Sequence, residues 1–261
     1  MNIDKFTICS FDTLTGFKSG TNELRLIMDE LSDFTLSQEE EKVDITGRGG
    51  RTIGSLKKNK KVTGSGTNGM LCGGALAAQL GTEVVEGEDT IRYTDIITVS
   101  NNEGTTAETA IGTAGDEIGF IYVRNENNEY ISGGKKLTQV AASPKTGEFT
   151  YEPGSKKITF FAGDVADGTE VVAFYDANVT SKSIVNDANN YSETLRVIVD
   201  VTCQDGCDNQ FHGQFICDRA DFSGTFEISG GSDPSTHAFE FTTLPNLCTG
   251  KSQLWKFIVF D

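Results

Sequence analysis

The 261-residue sequence has one tryptophan, two histidines, four prolines and no long apolar run. A membrane-spanning helix needs about 18–20 apolar residues in succession, so none is expected. The opening Met1-Asn2-Ile3-Asp4-Lys5 mixes charges and lacks an apolar stretch, so no secretory signal is expected either. A basic excess is also missing: 22 Lys+Arg face 38 Asp+Glu, for a net charge of −16. Reading duplex DNA by sequence needs the opposite balance. Six cysteines are too few for a disulfide scaffold, and without export free thiols are expected. No G-x-S-x-G, H-E-x-x-H or P-loop pattern occurs. No catalytic, cofactor or metal residues are assigned, and the chain is not expected to be an enzyme.

What the chain does contain is β-forming sequence. Seventeen Phe and six Tyr, with many Val/Ile segments, can build a core. Leu195, Val197, Val199, Val201 and Cys203 alternate at period two. After the turn residues 204–209, Phe211, Gly213, Phe215 and Cys217 alternate again, which predicts an antiparallel hairpin. Further strands are predicted at Glu23–Met28, Val43–Thr46, Ile96–Ser100, Ile118–Arg124, Lys157–Phe161, Glu170–Tyr175, Thr225–Ser229, Ala238–Thr242 and Leu254–Phe260. One helix is predicted from Met70 to the stop at Gly81, with Met70, Leu71, Gly74, Ala75 and Ala78 on one stripe. Its small residues suit close packing on a sheet. Residues 95–178 read as an inserted small Ig-like β-sandwich, and 1–94 with 179–261 as one discontinuous β domain.

Charge is unevenly placed. Segment 48–61 holds Arg48, Arg51, Lys57, Lys58, Lys60 and Lys61 with no acid, so the rest of the chain carries −22. Glu39, Glu40 and Glu41 lie just upstream, across a Gly-rich turn. A solvated hairpin tip explains this pattern. So does a projecting loop that meets complementary patches on another copy.

Two motifs point elsewhere. Gly64-Ser65-Gly66-Thr67-Asn68-Gly69 matches the dinucleotide fingerprint G-x-G-x-x-G. The preceding residues are Lys-rich rather than buried and apolar, and repeated helices are missing, so a glycine-rich connection with Thr67 or Asn68 capping the helix is expected. Cys203, Cys207, His212 and Cys217 offer zinc-ligand chemistry. Pairing Cys203 near Asn209 would set Cys217 opposite Leu195, about 27 Å along the strands, too far to share a metal. A Cys203–Cys207 disulfide stays open.

The run Asp44-Ile45-Thr46-Gly47-Arg48-Gly49-Gly50-Arg51-Thr52-Ile53-Gly54-Ser55-Leu56-Lys57-Lys58-Asn59-Lys60 resembles a segment of tailed-bacteriophage tail tube (major tail) proteins. Ser65–Gly69, the Ala-rich helix with Gln79-Leu80-Gly81, Phe222–Ser229, His237–Phe241 and Leu254–Phe260 continue the likeness, which spans about 1–94 and 179–261. The resemblance implies a mainly β tail-tube sandwich or barrel with one short flanking helix, plus the inserted sandwich. It implies a structural virion protein whose hexameric rings stack head-to-tail into a hollow tube that conducts DNA during ejection. On that view the chain assembles in the host cytoplasm. Its partners are copies of itself and other tail proteins: terminator, baseplate or distal tail protein, tape measure and sheath. Asp29, Glu30, Asp33 and Asp200 are candidate lumen acids that repel passing DNA. Arg48, Arg51, Lys57, Lys58, Lys60 and Lys61 are candidates for the inter-ring contact, meeting Glu39, Glu40 and Glu41 of the next ring. The alternative is another β-rich virion or extracellular binding module without catalysis.

Overall fold

A computed structural model describes residues 5–125, 127–130, 134–228, 234–246, 250 and 252–260. Four strands open the chain: β1 (Phe6–Lys18), β2 (Leu24–Met28), β3 (Leu31–Thr46) and β4 (Thr52–Asn68). Helix α1 (Gly73–Leu80) follows. Then come β5 (Val85–Thr98), β6 (Glu103–Thr105), β7 (Phe120–Val123), β8 (Lys135–Gln139), β9 (Glu148–Glu152), β10 (Lys157–Phe160) and β11 (Glu170–Ser183). The chain closes with β12 (Thr194–Asp205), β13 (Gln210–Phe222), β14 (His237–Thr243) and β15 (Lys256–Phe260). The protein is mainly β, with one helix among the described residues.

The chain divides into two compact units, Met1–Val85 with Ser183–Asp261 and Glu86–Lys182. These limits lie outside the 95–178 read from sequence, because β5 and β11 run on as a paired ribbon. Side chains fasten that ribbon along its length: Lys182 to Glu86 at 2.5 Å, Ser181 to Asp89 at 2.8 Å, Thr90 to Asn178 at 2.9 Å and Arg92 to Asp176 at 3.0 Å.

The first unit is an eight-stranded sheet, ordered β2-β1-β12-β13-β14-β4-β3, with β15 also on β13. Its end strands β2 and β3 are consecutive in the chain, joined only by Asp29 and Glu30. Three peptide units span at most about 11 Å, so the sheet must curl until its ends meet. The curl brings Phe11 of β1 against Phe34 of β3, with ring centroids 5.1 Å apart. Asn68, itself buried, secures the join: its carbonyl accepts the Glu30 N–H at 3.1 Å and its amide donates to the Met70 carbonyl at 2.8 Å. Asn68 therefore fastens the strand ends instead of capping the helix.

Alternation along β12 is a burial pattern. Leu195, Val197, Val199, Val201 and Cys203 are all buried, facing Phe211, Cys217, Phe222, Phe239 and Phe241 in one core. At about 1.5–3 kcal/mol per fully buried apolar side chain, this face holds the strand in register. Burial also explains why a one-residue slip is excluded, since it would turn the whole set outward. The hairpin pairs Cys203 with Phe211 and Cys217 with Val197, two residues from the expected register. The turn sets the offset: Asp205 accepts N–H bonds from Cys207 and Asn209 and closes the loop before Gln210. The strand expected at Thr225–Ser229 is not formed over 225–228, and Ser229 lies outside the described residues. There the Ser223 hydroxyl accepts the Thr225 N–H at 3.2 Å and turns the chain.

Helix α1 starts three residues later than expected. Met70 and Leu71 precede it and are exposed, not on its inner stripe. Ala75 and Ala78 do face the core. Gly74 lies so close to β2 that a Cβ there would sit 2.5 Å from the Arg25 carbonyl oxygen. Gly81 ends the helix at φ 66, donating to the last-turn carbonyls. Buried His237 binds both helix ends: its Nδ1 accepts the Cys72 N–H at 3.2 Å, so its Nε2–H donates to Gln79 Oε1 at 2.8 Å.

The second unit is a curled seven-stranded sheet, ordered β5-β11-β7-β8-β9-β10-β6. Its end strands β5 and β6 are likewise close in the chain, and Ser100 and Glu103 exchange backbone bonds of 3.0 Å between them. β8 and β9 pair in parallel. Ile121, Leu137, Phe149, Ile158, Val171 and Tyr175 form its own core. The Tyr175 hydroxyl donates to Asp95 at 3.0 Å and accepts the Glu108 N–H at 3.1 Å. Burial pushes its pKa up to about 12.

The His237 geometry generates a pH prediction. Burial holds its imidazole below the ordinary value of 6.5, and a protonated Nδ1 cannot accept from Cys72. The unfolded chain therefore binds the proton first as pH falls, so stability is full above about 6.5 and declines below it. His237→Gln is expected to cost about 1–3 kcal/mol at pH 7. In thermal melts, the gap between wild type and variant should narrow from pH 7 to pH 5. A gap that widens over that interval refutes the assignment.

Candidate assembly surfaces

The glycine fingerprint lies inside strand β4, not at a helix start. Gly64 and Gly66 pack under rings of β14: a Cβ on Gly64 would sit 2.2 Å from Phe241, and one on Gly66 2.9 Å from Phe239. These glycines make room for aromatic side chains in the core, and no phosphate cradle is formed. The cysteine cluster also disperses. Cys203 and Cys217 are buried six register positions apart, roughly 20 Å, while Cys207 is exposed in the turn. All three thiols are free. Burial pushes the Cys217 thiol up to about 12 and raises that of Cys203. Cys248 lies outside the described residues.

The long β3–β4 hairpin is the most distinctive surface. Its root is buried, with Phe34, Val62 and Asn68 facing inward. Beyond Ser37 it outruns the core: from 37 to 61 every residue is exposed except half-buried Gly47 and Gly54. Backbone pairing continues to Thr46 and Thr52, so the projection is an ordered arm. Cross-strand ion pairs line it. Glu40 meets Lys57 at 2.8 Å, Glu41 meets Lys58 at 3.4 Å, and Glu39 lies opposite Lys61. Each partner shifts the other: Glu40 is held below its usual range by Lys57, and Lys57 is raised by Glu40. Asn59, at φ 54, forms a bulge with Lys60 opposite Glu40, and its amide donates to Glu41 at 2.5 Å.

At the tip, Gly49 and Gly50 take positive φ, which suits a tight turn of residues free of Cβ. Arg48 and Arg51 flank them, both exposed. Among the described residues Arg48, Arg51, Lys60 and Lys61 form no ion pair. Val43 lies opposite Leu56, and Ile45 falls two residues further on the same face, giving an exposed apolar stripe.

The expected lumen acids divide into two places. Asp29, Glu30 and Asp33 gather at the foot of the arm, exposed and without an ion pair among the described residues. Asp200 lies on the outward face of β12. There it accepts bonds from the Thr13 hydroxyl at 2.9 Å and the Gln214 amide at 2.7 Å. Thr202 beside it donates to Asp12 at 2.8 Å. Thr13, Asp200, Thr202 and Gln214 are polar and include no cation, and Arg196, further along the same outward face, lies beside Asp218 at 3.5 Å. In the second unit, Ile96, Phe120, Tyr122, Val172 and Phe174 line an open apolar cup of ≈ 600 Å³. Lys136 covers the Phe120 ring at 3.6 Å from its centre.

Two comparisons bear on this chain. A family model described as the YomU/Tube protein family matches residues 13–256, through both units. A search of curated proteins finds no match.

The packing of Gly64 generates a test. Gly64→Ala must displace the Phe241 ring and is expected to destabilise the fold by about 1–3 kcal/mol in denaturant melts. Added ATP or NAD should leave the wild-type melting temperature unchanged. A nucleotide-dependent rise would restore the dinucleotide reading.

Proposed function

This chain belongs to the YomU/Tube protein family, a phage tail tube family, and we propose that its copies close into hexameric rings that stack into a hollow tube conducting DNA. Its membership makes it a tube-like structural component of the virion tail. Such a subunit assembles in the host cytoplasm and works without catalysis.

The observation that carries the proposal is the ordered arm, a 37–61 segment that reaches past its own core with paired charges and an apolar stripe. A strand pair gains little by projecting into water alone. It gains by entering another copy. Among the described residues the outer edges of β15 and of β3 beyond Ser37 have no partner strand and give the same signal, because unpaired strand edges are templates for pairing. Closing a ring pairs such edges and removes the hazard. In the tube, the polar row of Thr13, Asp200, Thr202 and Gln214 suits the lumen: it offers hydroxyls, an amide and a carboxylate, with no cation to hold a phosphate backbone. Tail terminator, distal tail or baseplate protein, tape measure and sheath are the fitting partners at the ends, inside and outside of such a tube.

Negative-stain microscopy of the purified protein tests this reading, and hollow tubes of uniform width are the expected result. Reversing Lys57, Lys58, Lys60 and Lys61 to Glu sets acids against Glu39–Glu41 across the ladder, where like charges repel. The variant should stay folded and fail to polymerise. Tubes that form normally from it at physiological salt would remove the arm from the mechanism. Asp200→Lys should slow DNA ejection without changing tube length.

A further inference from the structure

The arm needs an acceptor, and one surface of this chain matches it. Ile27, Met70 and Leu71 are 49%, 66% and 51% exposed. They come from β2 and from the loop before α1, and hydrogen bonds hold these two segments together. The Gly69 N–H donates to the Glu30 carbonyl at 2.7 Å, and the Cys72 thiol donates to the Ile27 carbonyl at 3.2 Å. Asn68 bridges Glu30 and Met70. The result is a fixed apolar patch rimmed by Asp29 and Glu30, whose carboxylates have no ion pair among the described residues.

The arm is its complement. It presents Val43, Ile45 and Leu56, at 39%, 51% and 57% exposure, beside the free cations Arg48 and Arg51. Residues 37–61 hold seven cations against four acids, so the remainder of the chain carries −19. Within one copy the two surfaces cannot meet. Patch and stripe lie at opposite ends of one hairpin, 14 residues apart from Leu31 to Ile45, or about 46 Å along the paired strands.

We propose that the arm of one copy docks on the Ile27–Met70–Leu71 patch of a second copy, with Arg48 and Arg51 facing that copy's Asp29 and Glu30. Glu40 and Glu41 are not the acids that receive the tip, because Lys57 and Lys58 of their own arm already hold them. Asp29 and Glu30 thereby move from the lumen to the contact between copies. The contact joins two different surfaces, so it is heterologous and each docking leaves a new arm and a new patch free. It rests on the tube reading for the direction of growth alone.

Charge exchange tests the contact. Arg48→Glu with Arg51→Glu, and separately Asp29→Lys with Glu30→Lys, should each lower the sedimenting fraction about tenfold or more at low salt. Combining all four should restore assembly. Thermal melts check that each variant is folded. Normal assembly of either folded double variant overturns the proposal, as does a folded quadruple variant that stays unassembled. A second readout separates this contact from the tube itself. Ile45→Cys with Met70→Cys, treated with a short bis-maleimide, should give dimers and higher multimers beyond those of each single variant. Tubes without that ladder refute the contact and leave the tube reading standing. The ladder without hollow tubes supports the contact and refutes the tube. Neither ladder nor tubes refutes the contact.

Discussion

Strands that begin and end a sheet rarely follow one another in the chain, yet here Asp29 and Glu30 alone connect β2 to β3. That short link leaves the sheet no flat alternative. It curls, the core is enclosed, and Phe34 reaches Phe11 across the closure. Asn68 satisfies the backbone at the join, where a buried unpaired amide group would cost about 1–3 kcal/mol. β3 then leaves the closed end already paired with β4, and its length exceeds what the core can cover. The arm, its charged flanks and the apolar patch at its foot all follow from that closure. The second unit repeats the principle with β5 and β6.

The legibility of each element tracks how its burial is organised. β12 is plain in the sequence because one face is buried and the other is not, so polarity alternates from Leu195 to Cys203. Gly81 announces the helix stop because only a residue without Cβ fits both its φ and its contact with the Tyr191 carbonyl. The arm is not legible as strand. Both its faces meet water, so alternation has no cause, and only Val43–Thr46 looks strand-like. Its charge runs are visible as composition, but the pairing of Glu40 with Lys57 depends on register and on the bulge at Asn59. Gly64 and Gly66 mislead for a related reason. What makes them glycine is a ring on a strand more than 170 residues away, which no local pattern reveals.

The inserted unit follows from the β5–β11 ribbon. The chain enters it and leaves it at adjacent points, where Glu86 pairs with Lys182. A domain whose ends meet can sit in a surface connection without disturbing the strands on either side. Its separate core, built on Phe149, Ile158 and Tyr175, requires nothing from the first unit. Four exposed polar pairs along the ribbon are individually weak but act in series over one ladder.

Acids gather at one end of the β3–β4 hairpin and unpaired arginines at the other, while most of the intervening charge is offset by the pairs Glu40–Lys57, Glu41–Lys58 and Lys42–Asp44. The hairpin is therefore an electric dipole lying along its own length. Two such dipoles feel each other through about 8 Å of physiological salt before any side chain touches, and their lowest-energy collinear arrangement is tip to foot. A copy that approaches reversed meets like charge and is turned away. If copies stack as proposed, this dipole would set the polarity of the stack during diffusion, and ionic strength would set how often an encounter begins in the right orientation.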